Sequence, residues 1–173
     1  KYKINNKFML FVGRFSKSKG IETLLHACSI IKNDLTSQNI SLVIMGVDFG
    51  YQDKMLKLIS MLKLDNNVVV IKNPTRDDVI SAYGQSEFLV LPSYWELSPL
   101  VPLESFAFKK PVISTKAHGI PYTVQDKVNG LLVEPDNPND LSKAIIELLE
   151  NKVMREKLGL AGYEFVHKEC NCV

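Results

Sequence analysis

The stretch from Phe88 to Ser114, FLVLPSYWELSPLVPLESFAFKKPVIS, constrains the fold more than any other part of this chain. Its first four residues form a short apolar run of the kind that a buried parallel strand shows, and Pro92 ends the run. A polar loop, a short helix that begins near Leu100 and a second strand, PVIS, follow. This order of elements predicts two parallel strands joined by a helical crossover.

The same alternation of apolar runs and helical periodicity continues along the chain. The predicted strands are Phe8–Gly13, Ser41–Gly46, Val68–Ile71, FLVL, PVIS and a weaker Leu131–Val133. Five further helices are predicted. The first begins at Gly20, the second has Met55, Leu58, Ile59 and Leu62 on one face, and the third runs from Asp77 to about Gln85 with Asp77 or Thr75 as its cap. The fourth is capped by Asn137 or Asn139, and the last is either continuous or interrupted at Gly159 or Gly162. We predict an α/β, Rossmann-like fold: a doubly wound, parallel, six-stranded sheet with helices on both faces.

Length and composition limit the classes of function. The chain has 173 residues, 46% of them hydrophobic and 23% charged, which is typical of one soluble globular domain. Its net charge of +2 argues against a large nucleic-acid or membrane footprint. Cys28, Cys170 and Cys172 are predicted to be free thiols in a reducing compartment rather than a disulfide framework or a metal site. Because the sequence lacks an initiator Met, we expect it to be a domain of a longer protein.

Residues suited to binding a phosphorylated, hydroxylated ligand follow the predicted strands. In a parallel sheet the carboxyl ends of the strands meet at one edge, so the loops that follow them converge. These loops carry Arg14, Lys17 and Lys19, then Gly46, Asp48 and Gly50, then Lys72, Asn73 and Pro74, then Glu96, and finally His118 and Gly119. Cations and glycine-rich backbone suit a diphosphate, and carboxylates accept hydrogen bonds from vicinal hydroxyls.

Each of these signals has a second interpretation when it is taken alone. The basic loop also fits a solvated surface, and Glu96 and Glu104 also fit capping and dipole roles at a helix start. As a glycosidase pair they are poorly spaced, since eight residues of continuous helix span about 12 Å and such pairs need roughly 5–9.5 Å. Tyr94 and Trp95 fit a pocket wall and a core plug equally well, and His118 is interpreted as structural or incidental rather than catalytic.

The ordered set of motifs resembles a known family. G-R-x4-K-G follows the first strand, E-x7-E follows the fourth, PVI lies in the fifth, and a glycine loop and N-G-L-L-V come next. Together they resemble the C-terminal, donor-binding domain of GT-B retaining glycosyltransferases of family four, from Phe8 to about His167. The resemblance implies that residues 1–173 bind a nucleotide-diphosphate sugar, a UDP-, GDP- or ADP-hexose. The complete protein would transfer the hexose with retention to a sugar, lipid-linked or glycan acceptor held by an N-terminal domain that this chain lacks.

The resemblance also implies roles for individual residues. Arg14 and Lys19 would bind the donor diphosphate and Glu96 would face the hexose, which makes these three the predicted catalytic residues. Glu104 would bind the ribose hydroxyls. The backbone amides of Leu100 and Val101 would touch the hexose or the distal phosphate, and the loop from Lys72 to Thr75, with Asn73 and Pro74, would lie beside the base. The other predicted donor-binding positions are Ser98, Gly46 and Gly119. No metal and no cofactor besides the donor is expected, nor is a nucleic-acid partner. A cytoplasmic location is expected, with contact to the inner membrane face only through the N-terminal domain.

The sequence departs from the commonest family pattern at four positions. Pro99 and Asn73 stand where glycine is usual, His118 replaces the first of two glycines, and Tyr122 stands where glutamate is common. These differences bear on the sugar and the base more than on the type of reaction. Two other hypotheses remain open from the residues: a GT-B nucleotide-sugar epimerase, and a non-catalytic Rossmann-like binding module.

Overall fold

The computed structural model describes residue 4 and residues 6–169, in which six parallel strands form one sheet. Numbered along the chain, the strands are β1 (Lys7–Val12), β2 (Ile40–Gly46), β3 (Val68–Lys72), β4 (Leu89–Leu91), β5 (Val112–Thr115) and β6 (Gly130–Val133). The helices are α1 (Ile21–Ile30), α2 (Lys32–Ser37), α3 (Gln52–Met61), α4 (Arg76–Gln85), α5 (Leu100–Ala107), α6 (Ile120–Thr123), α7 (Pro138–Glu150) and α8 (Lys152–Glu169). The predicted α/β fold with a six-stranded parallel sheet is confirmed.

The strand order identifies the point at which the sheet reverses direction. The strands lie in the order β3-β2-β1-β4-β5-β6. The chain therefore builds outward from β1 on one side, crosses back, and continues outward on the other side from β4, where Leu89 pairs with Leu10. In open α/β sheets, ligands bind beyond the carboxyl ends of the strands at this reversal. The loops after β1 and β4 are thus the expected centre of a binding site.

Both faces of the sheet are covered, which explains why the strands are continuous apolar runs. Side chains alternate along β1, so Met9 joins the core that contains Leu24 of α1, and Leu10 joins the core that contains Tyr83 of α4 and Phe106 of α5. All five residues are almost fully buried. A strand covered on both faces has no polar side to present, and its sequence shows no alternation.

For α4 and α7, one of the two predicted N-cap residues is the observed cap. Thr75 caps α4 in a reciprocal capping box, because its hydroxyl accepts from the backbone N–H of Asp78 at 3.2 Å and its own N–H donates to the Asp78 carboxylate at 3.0 Å. Asn137 caps α7 by accepting from the backbone N–H three residues later. The alternatives Asp77 and Asn139 lie inside the two helices.

The last helix, α8, is continuous from Lys152 to Glu169, so no interruption occurs at Gly159 or Gly162. A Cβ atom at Gly159 would lie 2.1 Å from the Lys109 carbonyl oxygen, and one at Gly162 would lie 2.3 Å from the Phe106 ring. These glycines are therefore contact points at which α8 packs closely against α5 and the turn that follows it. The short helices α2 and α6 were not predicted.

Cys28 is a free, fully buried thiol, as predicted, and its burial raises the pKa of the thiol to about 12. Cys170 and Cys172 lie outside the described residues. In the part of the chain that the structure describes, no helix combines the length and the apolar character needed to cross a membrane.

Candidate functional site

An ion pair joins the loops that follow β1 and β4, at the reversal of the sheet. The ammonium of Lys19 donates to Oε1 of Glu96, and the two side chains are only 15% and 16% exposed. The hydroxyl of Ser93, at the end of the β4 segment, donates to the same carboxylate oxygen at 3.1 Å. The predicted cation and the first predicted acid are therefore in direct contact, although 77 positions separate them in sequence.

The backbone of the two loops is close enough to hold this pair in place. The N–H of Tyr94 donates to the carbonyl of Ser18 at 2.9 Å. Gly20 has a left-handed backbone, with φ of 68°, and a Cβ atom there would lie 1.9 Å from the Pro92 carbonyl oxygen. Only glycine meets both demands without strain. The second glycine of the G-R-x4-K-G motif is thus explained by loop packing.

Glu104, the second predicted acid, lies on α5 and is held by two donors from α4. Nη1 of Arg76 donates to Oε1 at 2.7 Å, and the hydroxyl of Tyr83 donates to Oε2 at 2.9 Å. Burial, followed by the charge of Glu104, raises the pKa of Tyr83 above its usual value, so the hydroxyl stays protonated and acts as the donor. The Glu104 side chain remains 29% exposed and open to a ligand.

Arg14 lies in the loop after β1, as predicted, but its side chain contacts the adjoining loop after β2. Its guanidinium carbon lies 5.1 Å above the centre of the Phe49 ring, in a cation–π arrangement. The N–H of Phe15 donates to the Val47 carbonyl at 2.8 Å and fixes the two loops to one another. Arg14 is exposed. Arg14 therefore lies at the carboxyl edge of the sheet, and among the described residues it forms no ion pair with either predicted acid.

The predicted donor-binding positions Gly46, Asn73 and Pro74 lie where β2 and β3 end. A Cβ atom at Gly46 would lie 1.7 Å from the Gly13 carbonyl oxygen, so glycine is required there for the packing of β1 against β2. The Gly46 carbonyl accepts from the N–H of Asn73 at 2.8 Å. Asn73 is exposed with a positive φ of 50°, and Pro74 leads directly into the cap of α4. The contact of Gly46 with the donor, and of the Asn73 loop with the base, stays a prediction.

The start of α5 and the glycine loop after β5 pack against the Glu96 loop. The N–H of Gly119 donates to the Glu96 carbonyl at 2.8 Å, and a Cβ atom on Gly119 would lie 1.8 Å from the Leu97 carbonyl oxygen. Pro99 is the N-cap of α5, and within the described residues no side chain caps this helix start. The first turn of α5 therefore presents backbone N–H groups and a positive dipole end to a ligand.

Around these groups lie the remaining predicted residues, several of them exposed. Ser98 and Leu100 are exposed, and Val101 is half-buried. The Trp95 and His118 rings meet edge to face at 5.9 Å, and Trp95 is 54% exposed, so it is a wall residue rather than a core plug. Among residue 4 and residues 6–169, no three His, Cys, Asp or Glu side chains lie close enough to hold a metal ion.

The arrangement is electrostatically balanced at both acids. Glu96 is paired with Lys19 and Glu104 with Arg76, so neither carboxylate presents an isolated negative charge to an anionic ligand. The free N-terminus of α5 lies between them in sequence. Such a site suits a ligand that is anionic at its centre and carries hydroxyl groups on either side.

The sequence predicted Lys19 but not Arg76, Tyr83 and Ser93, the other side chains that donate to the two acids. Arg76 and Tyr83 are seven residues apart on α4, which places them on one face of that helix. This spacing was visible in the sequence, but nothing in it indicated that α5 lies opposite that face.

Comparison with known proteins agrees with the fold and identifies the family. Residues 1–165 match the family described as glycosyl transferases group 1. This chain belongs to the glycosyl transferase group 1 family. An uncharacterized glycosyltransferase of Methanocaldococcus jannaschii is 35% identical over an alignment of 168 residues that covers 93% of this chain and 43% of that protein. A D-inositol 3-phosphate glycosyltransferase of Corynebacterium diphtheriae is 27% identical over 93% of this chain and 38% of its own length.

A solved structure shares the architecture of this group 1 glycosyltransferase chain. The C-terminal domain of a group 1 glycosyl transferase (LpcC) from Francisella tularensis superposes with a TM-score of 0.86 at 23% identity, over 96% of this chain and 87% of that one. The likeness shows the GT-B type of Rossmann-like fold. The chain spans roughly two fifths of the two curated relatives described above, 43% and 38% of their lengths.

Proposed function

We propose that this chain is the donor-binding, C-terminal domain of a retaining glycosyltransferase, and that the complete protein transfers a hexose from a nucleotide-diphosphate sugar to an acceptor hydroxyl. One observation carries the proposal. In a chain of the glycosyl transferase group 1 family, the Lys19–Glu96 ion pair lies at the reversal of the sheet, where the fold binds ligands.

The donor is proposed to lie across the carboxyl edge of the sheet. Its diphosphate binds Lys19, Arg14 and the first backbone N–H groups of α5, those of Leu100 and Val101, where the helix dipole favours negative charge. The hexose then lies at Glu96 and the ribose at Glu104. The other proposed donor contacts are Ser98, Gly46 and Gly119, and the loop with Asn73 and Pro74 lies beside the base.

The proposed reaction needs no residue that bonds to the sugar. The bond between the anomeric carbon and the diphosphate oxygen breaks, the acceptor oxygen bonds to the same face of that carbon, and the departing diphosphate takes the acceptor proton. Negative charge grows on the diphosphate as it leaves, so the cations and N–H groups around it lower the barrier. NMR of the fresh product tests the stereochemistry, because an inverted anomeric centre would contradict retention.

A second domain is proposed to close the site and hold the acceptor. Exposed apolar side chains surround the Glu96 loop, and Trp95, Leu97, Leu100 and Tyr122 are each more than half exposed. Apolar surface gathered beside a polar site is typical of an interaction face. The similar solved chain is itself a C-terminal domain, which supports the same division here.

The nucleotide is tested by titrating this chain with UDP, GDP and ADP during thermal unfolding. At a ligand concentration of ten times Kd, binding stabilises by about 1.4 kcal/mol, which raises the Tm of a domain of this size by roughly 3–6 °C. We expect such a shift with at least one of the three. If none of the three nucleotides raises the Tm at millimolar concentration, donor binding is contradicted and the non-catalytic module is favoured.

The epimerase hypothesis is tested in the complete protein. Nucleotide release that needs no acceptor would favour the epimerase.

The ribose role of Glu104 predicts the effect of Glu104→Ala. Hydrogen bonds from ribose hydroxyls to a carboxylate are of the charged kind, so their loss should weaken nucleotide affinity by about 10-fold or more. Isothermal titration of both forms measures this change. Glu147→Ala, which removes an exposed acid from α7, is the control and should bind like the wild type. Unchanged affinity in Glu104→Ala would remove Glu104 from the site.

A further inference from the structure

The carboxylate of Glu104 is held at both oxygens by side chains of a neighbouring helix. Arg76 donates to one oxygen at 2.7 Å and Tyr83 to the other at 2.9 Å. Arg76 begins α4, and Tyr83 lies two turns later on the same face. Both donors therefore belong to one rigid element, and the plane of the Glu104 carboxylate is set by α4 rather than by solvent.

The two donors differ in how firmly they are held. Tyr83 is 1% exposed, and its ring stacks on Phe108 with 5.9 Å between the ring centres and 15° between the planes. Its hydroxyl has a fixed position in the structure. The side chain of Arg76 is 65% exposed, so it supplies charge at the surface while Tyr83 supplies the fixed point.

The carboxylate keeps enough capacity for a ligand. A carboxylate offers about four acceptor positions, and Arg76 and Tyr83 occupy two of them. The Glu104 side chain is 29% exposed, so the others can be reached from outside. A vicinal diol requires two acceptor positions at a fixed spacing, and a carboxylate that is already oriented loses less freedom when the diol binds.

Arg76 also connects the proposed ribose and base positions. It follows Thr75, the cap of α4, at the end of the loop that begins with Asn73. The positive charge of Arg76 offsets the negative charge of Glu104, which would otherwise repel an incoming diphosphate.

From this geometry we propose that Tyr83 and Arg76 are positioning residues that orient Glu104 to recognise the ribose hydroxyls of the donor nucleotide. The inference rests on the proposed function and adds to it the origin of selectivity for ribose over deoxyribose. Neither side chain needs to touch the nucleotide.

The test compares each ribonucleotide with its 2′-deoxy form. UDP, GDP and ADP are titrated into this chain beside dUDP, dGDP and dADP, and the pair with the tightest ribonucleotide is followed. The quantity of interest is the ratio of the deoxy Kd to the ribo Kd. We expect about 10-fold in the wild type, the value of one charged hydrogen bond. Glu104→Ala should bring the ratio to about 1.

Variants of Tyr83 and Arg76 test whether these side chains orient the Glu104 carboxylate or only stabilise the fold. Tyr83→Phe keeps the buried ring and removes the hydroxyl, while Arg76→Ala removes an exposed guanidinium. Each is expected to lower the ratio at least threefold, and Arg76→Lys, which still donates one charged hydrogen bond, should restore most of it. Lys57→Ala removes an exposed cation on α3 and should leave the ratio at its wild-type value.

The possible outcomes point to different conclusions. If no nucleotide binds the wild type, the proposed function itself fails. If nucleotide binds but Glu104→Ala keeps the ratio, the ribose assignment of Glu104 fails. If Glu104→Ala abolishes the ratio while Tyr83→Phe and Arg76→Ala both retain it, Tyr83 and Arg76 are merely structural and the present inference is overturned. Should Tyr83→Phe not fold, Arg76→Ala and Arg76→Lys decide the matter.

Discussion

Replacing Lys19 with alanine is expected to slow sugar transfer by the complete protein about 10²–10³-fold, the usual cost of removing one group that stabilises charge in a transition state. Lys19 is only 15% exposed and is held at the reversal of the sheet by Glu96. On the donor-binding proposal, Lys19 turns from Glu96 to the diphosphate and stabilises the negative charge that grows on it as it departs. We therefore expect the loss in kcat as well as in kcat/KM, measured with saturating acceptor.

Lys17→Ala is the matched control, because Lys17 is an exposed lysine of the same loop. It changes the net charge equally and should retain most of the activity. Arg14→Ala provides a second comparison: Arg14 is exposed above Phe49, and on the donor-binding proposal its removal also nearly abolishes transfer. Near-normal turnover in both Lys19→Ala and Arg14→Ala would contradict the assignment of the diphosphate to this loop.

Glu96 has two roles in this picture, one in the free chain and one in the donor complex. In the structure it neutralises Lys19, and in the proposed complex it faces the hexose while Lys19 turns toward phosphate. Removing Glu96 should therefore weaken binding of the sugar and, because Lys19 is no longer neutralised, strengthen binding of the diphosphate. Glu96→Gln is the conservative variant for separating these two effects.

The sheet could be predicted because its cause is local in the sequence. Runs such as FMLFV and SLVIM have no polar side, so they had to be strands buried on both faces, and the helical periodicity between them required crossovers. Convergence of the loops at one edge follows from parallel pairing alone. Parallel pairing is therefore enough to predict that Lys19 and Glu96 lie close together, as the ion pair shows.

The partners of Glu104 could not be predicted, because their cause is not local. Whether Tyr83 faces α5 depends on how α4 rotates as it packs on the sheet, and this is decided by the whole core. Sequence periodicity shows which residues share a face, but it does not show what that face meets. The close contacts at Gly46 and Gly119 are of the same kind, since a glycine in a loop also fits a flexible turn or a phosphate cradle.

Gly119→Ala is expected to destabilise this chain by about 1–3 kcal/mol, as overpacking of a tight contact does. The added Cβ would lie 1.8 Å from the Leu97 carbonyl oxygen, and backbone on both sides leaves no flexible side chain to move aside. The Glu96 loop must shift to accept it. Since misplacing a reacting group by about 1 Å can cost roughly 10²-fold in rate, transfer by the complete protein should fall by about that factor well below the Tm. Thermal unfolding and a transfer assay at low temperature measure the two effects separately.

Gly84→Ala is the matched control, because a Cβ atom there meets nothing closer than the Phe108 ring at 3.9 Å. Gly84 lies inside α4, where alanine should be neutral or should stabilise by about 0.5–1 kcal/mol. If Gly119→Ala matched this control in both stability and rate, the contact with Leu97 would not be what fixes the Glu96 loop. If stability fell but transfer did not, the loop would tolerate displacement, and the role of Glu96 in facing the hexose would be contradicted as well.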